Sequence, residues 1–277
     1  MSRATDPLTV RRALVLGALH GPAELMPISS SAHVTVVPYL LGWDYVEADP
    51  DLRKAFEVAL HAGTAVALLI GLRDEVEATI RRMTPSLAAQ LVVASIPAAL
   101  VGFTLEKPIE RRLGTPETIP VGMILGALAM GWADRSARDR VSTEAGMRDA
   151  LWLGIAQACA LMPGVSRNGA TLTAARRRRF ARVDANRLSR HVALPVIGGA
   201  TGLKSLRLLR RGLPEGMAAP FAVGAIASFG STLLSTRVLR AVERDAPLSP
   251  YVAYRLLIAG AVLRRAQRIR ADARGSE

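Results

Sequence analysis

Two stretches of the chain set reactive side chains among residues that break helices. The first runs His20-Gly21-Pro22-Ala23-Glu24 and continues through Pro27-Ile28-Ser29-Ser30-Ser31-Ala32-His33; the second is Pro163-Gly164-Val165-Ser166-Arg167-Asn168-Gly169-Ala170-Thr171. Arg167 has the clearest chemistry, because a guanidinium binds two phosphate oxygens at once and stabilises charge developing on a transferred phosphoryl group. Ser166, Asn168, Thr171 and the amides around Gly164 and Gly169 would complete an anion cradle, where glycine lets the backbone approach closely. Ser29 and Ser31 add hydroxyl donors from the first stretch. Glu24 lies in an apolar run, where an unpaired carboxylate is costly, so a metal, a proton or a cation has to accompany it. Metal ligand, water-activating base and structural partner of an arginine are the roles open to it. His33 titrates near neutral pH and suits proton transfer. Ser30, three positions earlier, is either a nucleophile activated by His33 or a hydrogen-bond donor to phosphate, and the pair alone does not separate those roles.

The elements that must position these residues emerge from the distribution of charge. The 277-residue chain is 50% hydrophobic yet carries 36 basic against 23 acidic residues, a formal net charge of +13. Its mean hydropathy of +0.25 averages over two populations. Met83–Leu105 is 23 residues without a charged side chain and Gly216–Thr236 is 21. Leu25–Trp43, Ala150–Ser166, Thr118–Ala133 and Val58–Leu72 follow at 19, 17, 16 and 15. Ala13–Ala23, His191–Leu203 and Leu256–Leu263 are shorter candidates. A spanning helix needs about 20 predominantly apolar residues, so the blocks predict an all-α polytopic membrane protein. The first apolar stretch, interrupted by His20, Pro22 and Glu24, lacks a small-residue cleavage site, and no cleavable signal peptide is expected.

Composition removes other classes. A disordered basic tail is excluded by the apolar fraction, and a disulfide scaffold by the single cysteine, Cys159. Three lysines among the 36 basic residues leave 33 arginines, a bias of the kind a GC-rich genome produces. With 4% aromatic residues and no stacking motif, zinc spacing or phosphate loop, no nucleic-acid partner is expected.

The two broken stretches are also related to each other. Leu16-Gly17-Ala18-Leu19-His20 parallels Leu153-Gly154-Ile155-Ala156-Gln157 at an offset of 137, and Leu25-Met26-Pro27 parallels Leu161-Met162-Pro163 at 136. Half the chain is about that length, so a duplicated half-chain is expected within one membrane domain spanning 1–277, with repeats over approximately 10–133 and 148–265. Broken helices in corresponding positions of two inverted repeats point to a site near the bilayer midplane, and freed amides at such breaks attract anions.

Both stretches resemble the signature motifs of the bacitracin-resistance family of bacterial lipid diphosphatases, the undecaprenyl-diphosphatases. Phe56-Glu57-Val58, Ile96-Pro97-Ala98, Ala193-Leu194-Pro195 and Tyr254-Arg255 extend the similarity over nearly the whole chain. The resemblance implies an integral enzyme of the bacterial plasma membrane, built of inverted repeats with re-entrant helices. Such an enzyme hydrolyses undecaprenyl diphosphate to undecaprenyl phosphate and inorganic phosphate, recycling the cell-wall carrier lipid. It also implies a divalent cation, Mg²⁺ or Ca²⁺, which Glu24 and His20 would ligate, and a polyprenyl diphosphate as substrate. A homo-oligomer is compatible with it.

The chain departs from the family pattern at several points. His20 stands where family members have Glu or Gln, and imidazole would weaken an Mg²⁺ or Ca²⁺ site or shift it toward a transition metal, unless position 20 only hydrogen-bonds. Asn168 replaces a serine, and His61 a glutamine. Arg176-Arg177-Arg178-Arg179 follows the second motif where the family runs apolar; four adjacent arginines are expected at an interface or in water, as a surface loop attracted to anionic headgroups. Two other functions share these features: a transporter or flippase of an anionic or lipid-phosphate substrate, and a paralogue that binds the lipid without hydrolysing it. Of all the basic residues, Arg167 alone is assigned chemistry.

Overall fold

The computed structural model of the protein describes residues 7–242 and 246–275. Among these, the chain forms eleven α-helices and two 3-10 turns: α1 (Val10–Leu25), α2 (Ser30–Leu41), a turn at Asp44–Glu47, α3 (Pro50–Gly71), α4 (Arg73–Arg81), α5 (Pro85–Leu113), α6 (Ile119–Ala133), a turn at Ser142–Glu144, α7 (Met147–Cys159), α8 (Arg167–Arg177), α9 (Arg182–Arg211), α10 (Ala218–Val242) and α11 (Ser249–Gly275). The starts follow local chemistry. Thr9 and Thr84 accept from the amides of Arg12 and Leu87, and Asp49 accepts from Asp51 N at 2.7 Å. Pro50 and Pro85 occupy first helical positions, where a missing N–H costs nothing.

Four helices are long and apolar enough to cross a membrane: Pro50–Gly71, Pro85–Leu113, Arg182–Arg211 and Ala218–Arg237. Each coincides with a block of low charge density, so the polytopic all-α expectation holds. Phe103, 90% exposed, and Leu209, Ile226 and Leu257 point outward, as lipid-facing side chains must. Because lipid is as apolar as leucine, helix association inside a membrane rests on close packing of small residues. That device is visible where α10 lies between α1 and α3. A Cβ on Gly17 would stand 2.3 Å from the Gly224 carbonyl oxygen, and one on Gly63 would stand 2.2 Å from that of Ala225.

The packing is reciprocal between the halves. Helix α1 packs on α10 while α7 packs on α5; α8 packs on α6 while α2 packs on α11; and α3 and α9 meet each other. The clusters match as well: Ala13 and Leu16 of α1 lie in one core with Phe56, Leu60 and Phe221, while Ala150 and Leu153 of α7 lie in another with Ala94 and Leu188.

The arginine run corrects one expectation. It closes one end of the helix bundle and is not a free surface loop. Arg176 is fully buried and donates to the carbonyls of Ser136 at 2.6 Å, Asp134 at 3.2 Å and Ala137 at 3.3 Å, and also to that of Phe180. Arg182 binds Asp134 at 2.7 and 2.8 Å, while Arg178 at 2.6 Å and Arg140 at 3.0 Å converge on Asp149. Arg177 lies 3.7 Å over the Trp132 ring, and Arg179 pairs with Asp139. A guanidinium has five donors and can satisfy a cluster of loop carbonyls that no helix ladder serves.

Candidate active site

Each broken stretch folds as helix, turn, helix. Helix α1 ends at Leu25, where Pro22 inside its last turn accepts from Met26 N at 2.9 Å and contributes no amide of its own. After Met26-Pro27-Ile28 the chain restarts at α2 with Ser29 as N-cap. Helix α7 ends at Cys159, and the turn through Gly164, at φ +93°, leads to Ser166, the N-cap of α8. A Cβ on Gly164 would stand 2.4 Å from the Ile119 carbonyl oxygen, so position and conformation both demand glycine there. Ser29 and Ser166 sit at φ +77° and +71°, a region non-glycine residues seldom enter and which costs about 1–3 kcal/mol. They are 137 positions apart and do the same job, turning the chain into the next helix.

The two breaks are held against one another. Arg167 donates to Glu24 Oε1, and Asn168 Nδ2 donates to the Leu25 carbonyl at 2.5 Å, so the start of α8 is fastened to the end of α1. Ser30 Oγ donates to Glu24 Oε2 at 2.5 Å. Glu24 therefore has the arginine partner its burial requires: its side chain is 5% exposed and carries both a charge-assisted bond and a hydroxyl bond. Beneath the breaks lies Arg255, fully buried. Its Nη1 donates to the Pro27 carbonyl at 3.2 Å, and its Nη2 reaches those of Gly164 and Val165, both at 2.9 Å. One guanidinium thus spans both breaks.

Several predicted residues serve other partners. His33 hydrogen-bonds the Ser29 carbonyl through Nδ1 and the Tyr254 hydroxyl through Nε2, each at 2.7 Å, with the two rings stacked 5.6 Å apart. Its ring nitrogens are thus taken by partners other than Ser30, whose hydroxyl goes to Glu24. Ser166 Oγ accepts from Gly169 N at 3.2 Å as a helix cap. Thr171 is buried, donating to the Arg167 carbonyl at 2.9 Å and meeting Ser189 Oγ at 2.5 Å; Ser189 donates to Asn168 Oδ1 at 2.9 Å. Ser29 and Ser31 meet only at 3.5 Å. Gly169 packs on Ser166 and Arg255.

On the other side of Glu24, His20 is fully buried on α1 with Nδ1 2.9 Å from Thr64 Oγ1, itself 2.7 Å from Ser228 Oγ. His61 of α3 places Nδ1 3.8 Å from Glu24 Oε2 and Nε2 3.7 Å from Glu57 Oε1. The ligand atoms of His20, Glu24 and His61 lie within 4.8 Å of one another, a set able to hold a metal ion.

Glu24 and Arg167 line a small, partly open pocket. Its lining combines the polar Glu24, Arg167, Asn168, Ser189 and Arg190 with the apolar Leu68, Leu72, Ala193, Leu194 and Ile197. Sequence reasoning missed Arg255 and Ser189. For Arg255 there was a signal, an arginine standing at the head of the apolar run Leu256–Leu263; for Ser189, inside an arginine-rich stretch, there was none.

The family model for the bacitracin resistance protein BacA matches residues 13–261. A protein of Geobacter sulfurreducens named undecaprenyl-diphosphatase is 39% identical over 92% of this chain and 98% of its own length. Proteins of the same name from Pelobacter propionicus and Geobacter metallireducens are 37% and 36% identical, over 92% and 91% of this chain and 97% and 96% of theirs. With the two motif stretches folded together at one pocket and the match running almost from end to end, the chain belongs to the BacA bacitracin-resistance family.

Proposed function

We propose that this multi-pass bacterial membrane protein is a lipid diphosphatase that hydrolyses undecaprenyl diphosphate to undecaprenyl phosphate and inorganic phosphate. The observation that carries the reading is the Arg167–Glu24–Ser30 cluster at the meeting of two helix breaks, beside a pocket lined by both polar and apolar side chains. An amphiphile with a phosphate head suits such a mixed lining. The α2 and α8 N-termini add amide donors and a favourable dipole for the anion. Relatives bearing the undecaprenyl-diphosphatase name over nearly their full length support the same substrate.

Arg167 spends one nitrogen on Glu24 and keeps the rest of its five donors for phosphoryl oxygens. Ser30 already donates to Glu24, the arrangement of a hydroxyl beside its base. As Ser30 Oγ attacks the terminal phosphorus, its proton passes to Glu24 and the bridging P–O bond breaks. Undecaprenyl phosphate departs with that proton. Water then attacks the phosphoserine, inorganic phosphate leaves, and Oγ recovers a proton from the water by way of Glu24. Asn168 positions the cluster by tying α8 to the Leu25 carbonyl.

The donor chemistry around Glu24 fits a divalent cation, which His20, Glu24 and His61 would hold. A carboxylate has about four lone-pair sites, enough for Ser30, Arg167 and an ion together. Bound there, the ion would supply Lewis-acid stabilisation of phosphoryl oxygens. The halves at about 10–133 and 148–265 are duplicated, inverted repeats, a reading supported by the reciprocal packing and the paired serine caps.

The test is phosphate release from a polyprenyl diphosphate by purified protein in detergent, with no ion gradient. Arg167→Ala and Glu24→Gln should each abolish it. Turnover at the unmodified rate in either variant, or gradient-driven uptake without hydrolysis, would overturn the assignment.

A further inference from the structure

We infer that the His20–Glu24–His61 cluster is a two-imidazole, one-carboxylate site that selects a first-row transition dication over Mg²⁺ or Ca²⁺. The inference deepens the functional reading of the same site. His20 and Glu24 are four positions apart on α1 and so share a face, and His61 approaches from α3. The His20 and His61 rings meet edge to face at 4.6 Å.

The independent observation is His20 Nε2. It is buried and, among the described residues, has no hydrogen-bond partner, which is expensive for a polar atom in a protein interior. Its ring is fixed by the other nitrogen, because Nδ1 meets Thr64 Oγ1 at 2.9 Å and Thr64 is in turn held by Ser228 and Thr232. A locked imidazole with one free nitrogen beside a carboxylate is how a protein presents a metal ligand. His61 repeats the arrangement: Nδ1 faces Glu24 and Nε2 faces the Glu57 carboxylate, the outer partner that orients a ligating histidine. The three ligand atoms lie within 4.8 Å of one another, close enough for one ion to draw all three to bonds of about 2.0–2.2 Å.

The donor set decides the ion. Mg²⁺ and Ca²⁺ take six or more oxygen ligands, whereas imidazole nitrogen favours Zn²⁺, Co²⁺, Fe²⁺ and their neighbours. Two of the three side chains here offer nitrogen.

Full-length protein in detergent, stripped by chelator, should be titrated with Co²⁺ and followed by visible absorption, with Zn²⁺ and Mg²⁺ as competitors. A saturable d–d band at one Co²⁺ per chain is expected, displaced by Zn²⁺ but not by a large excess of Mg²⁺ or Ca²⁺. His20→Gln, whose amide can keep the Thr64 hydrogen bond, and His61→Gln, at a partly buried position, should each weaken Co²⁺ binding at least about tenfold. His191→Gln, outside the three-residue cluster and bonded to Thr79, should not. Thermal unfolding of each variant separates lost ligation from lost folding. No band, a band unchanged in both His20→Gln and His61→Gln, or displacement by stoichiometric Mg²⁺ would overturn the inference. Phosphate release is measured separately: a histidine-dependent band without hydrolysis leaves the metal site standing and sinks the enzyme assignment, and hydrolysis without the band does the reverse.

Discussion

Replacing Arg255 tests whether one buried guanidinium holds the two breaks together. Among the described residues its hydrogen-bond partners are all carbonyl oxygens, those of Pro27, Gly164 and Val165 at 2.9–3.2 Å, with Gly122 at 3.4 Å. Arg255→Met keeps most of the volume and removes every donor. Each buried carbonyl left without a partner costs about 1–3 kcal/mol, so three give about 3–9 kcal/mol. Removing the guanidinium also removes the cost of burying its charge, and water entering the breaks recovers part of the rest, which leaves a net loss of about 2–4 kcal/mol. For a chain of this size that is a fall of roughly 5–10 °C in the thermal midpoint. Activity should fall further than stability, because the Pro27 and Gly164 turns set where Glu24 and Arg167 meet. Arg255→Lys keeps the charge but has one nitrogen where two are needed, so it should recover stability only in part and remain well below full turnover. The assay is a thermal melt in detergent beside phosphate release at a temperature where both variants are folded. Arg255→Met with an unchanged midpoint and full turnover would refute the reasoning.

Three further outcomes follow from the geometry. Tyr254→Phe removes the hydroxyl at His33 Nε2, should cost about 1 kcal/mol, and should leave phosphate release within a few-fold, since Ser30 is bonded to Glu24; a loss of orders of magnitude would return His33 to the proton path. Gly17→Ala drives a Cβ to 2.3 Å from the Gly224 oxygen and should lower the melting midpoint sharply, whereas Gly198→Ala, with open space around it in α9, should raise it slightly through helix propensity of about 1 kcal/mol. Asp134, at the end of α6, is pushed up by burial, but hydrogen bonds from Arg182 and the Leu248 amide hold its carboxyl below the ordinary 3.8. A depressed folded value means stability that is present above pH 3.8 and lost as pH falls through the folded value, so the melting midpoint should drop on acidification below pH 4 and Asp134→Asn should flatten that drop.

Local composition made much of the architecture legible. Charge-free runs marked α5, α10, α2, α6 and α3, because a lipid-facing helix must be apolar along its length. Pro22, Pro27 and Gly164 marked the breaks, because a missing amide and a left-handed turn are properties of single residues. Arg167 and Glu24 were singled out for being charged among apolar neighbours, and they meet. The arginine run was misread for the complementary reason. Whether a guanidinium faces water or a nest of carbonyls depends on the 134–149 connection, which nothing in the run itself encodes.

The sequence by itself determined the class of the protein, its spans, its two broken helices and the family whose motifs they carry, since each depends on residues adjacent in the chain. Tertiary structure alone decided the partnerships. Glu24 finds Arg167 across 143 positions, His33 is drawn away from Ser30 to Tyr254 across 221, and Arg255 reaches back 228 to Pro27. Contacts that far apart are chosen by which helices pack and at what depth, so a charged or hydrogen-bonding side chain acquires its role only from the neighbours that packing supplies.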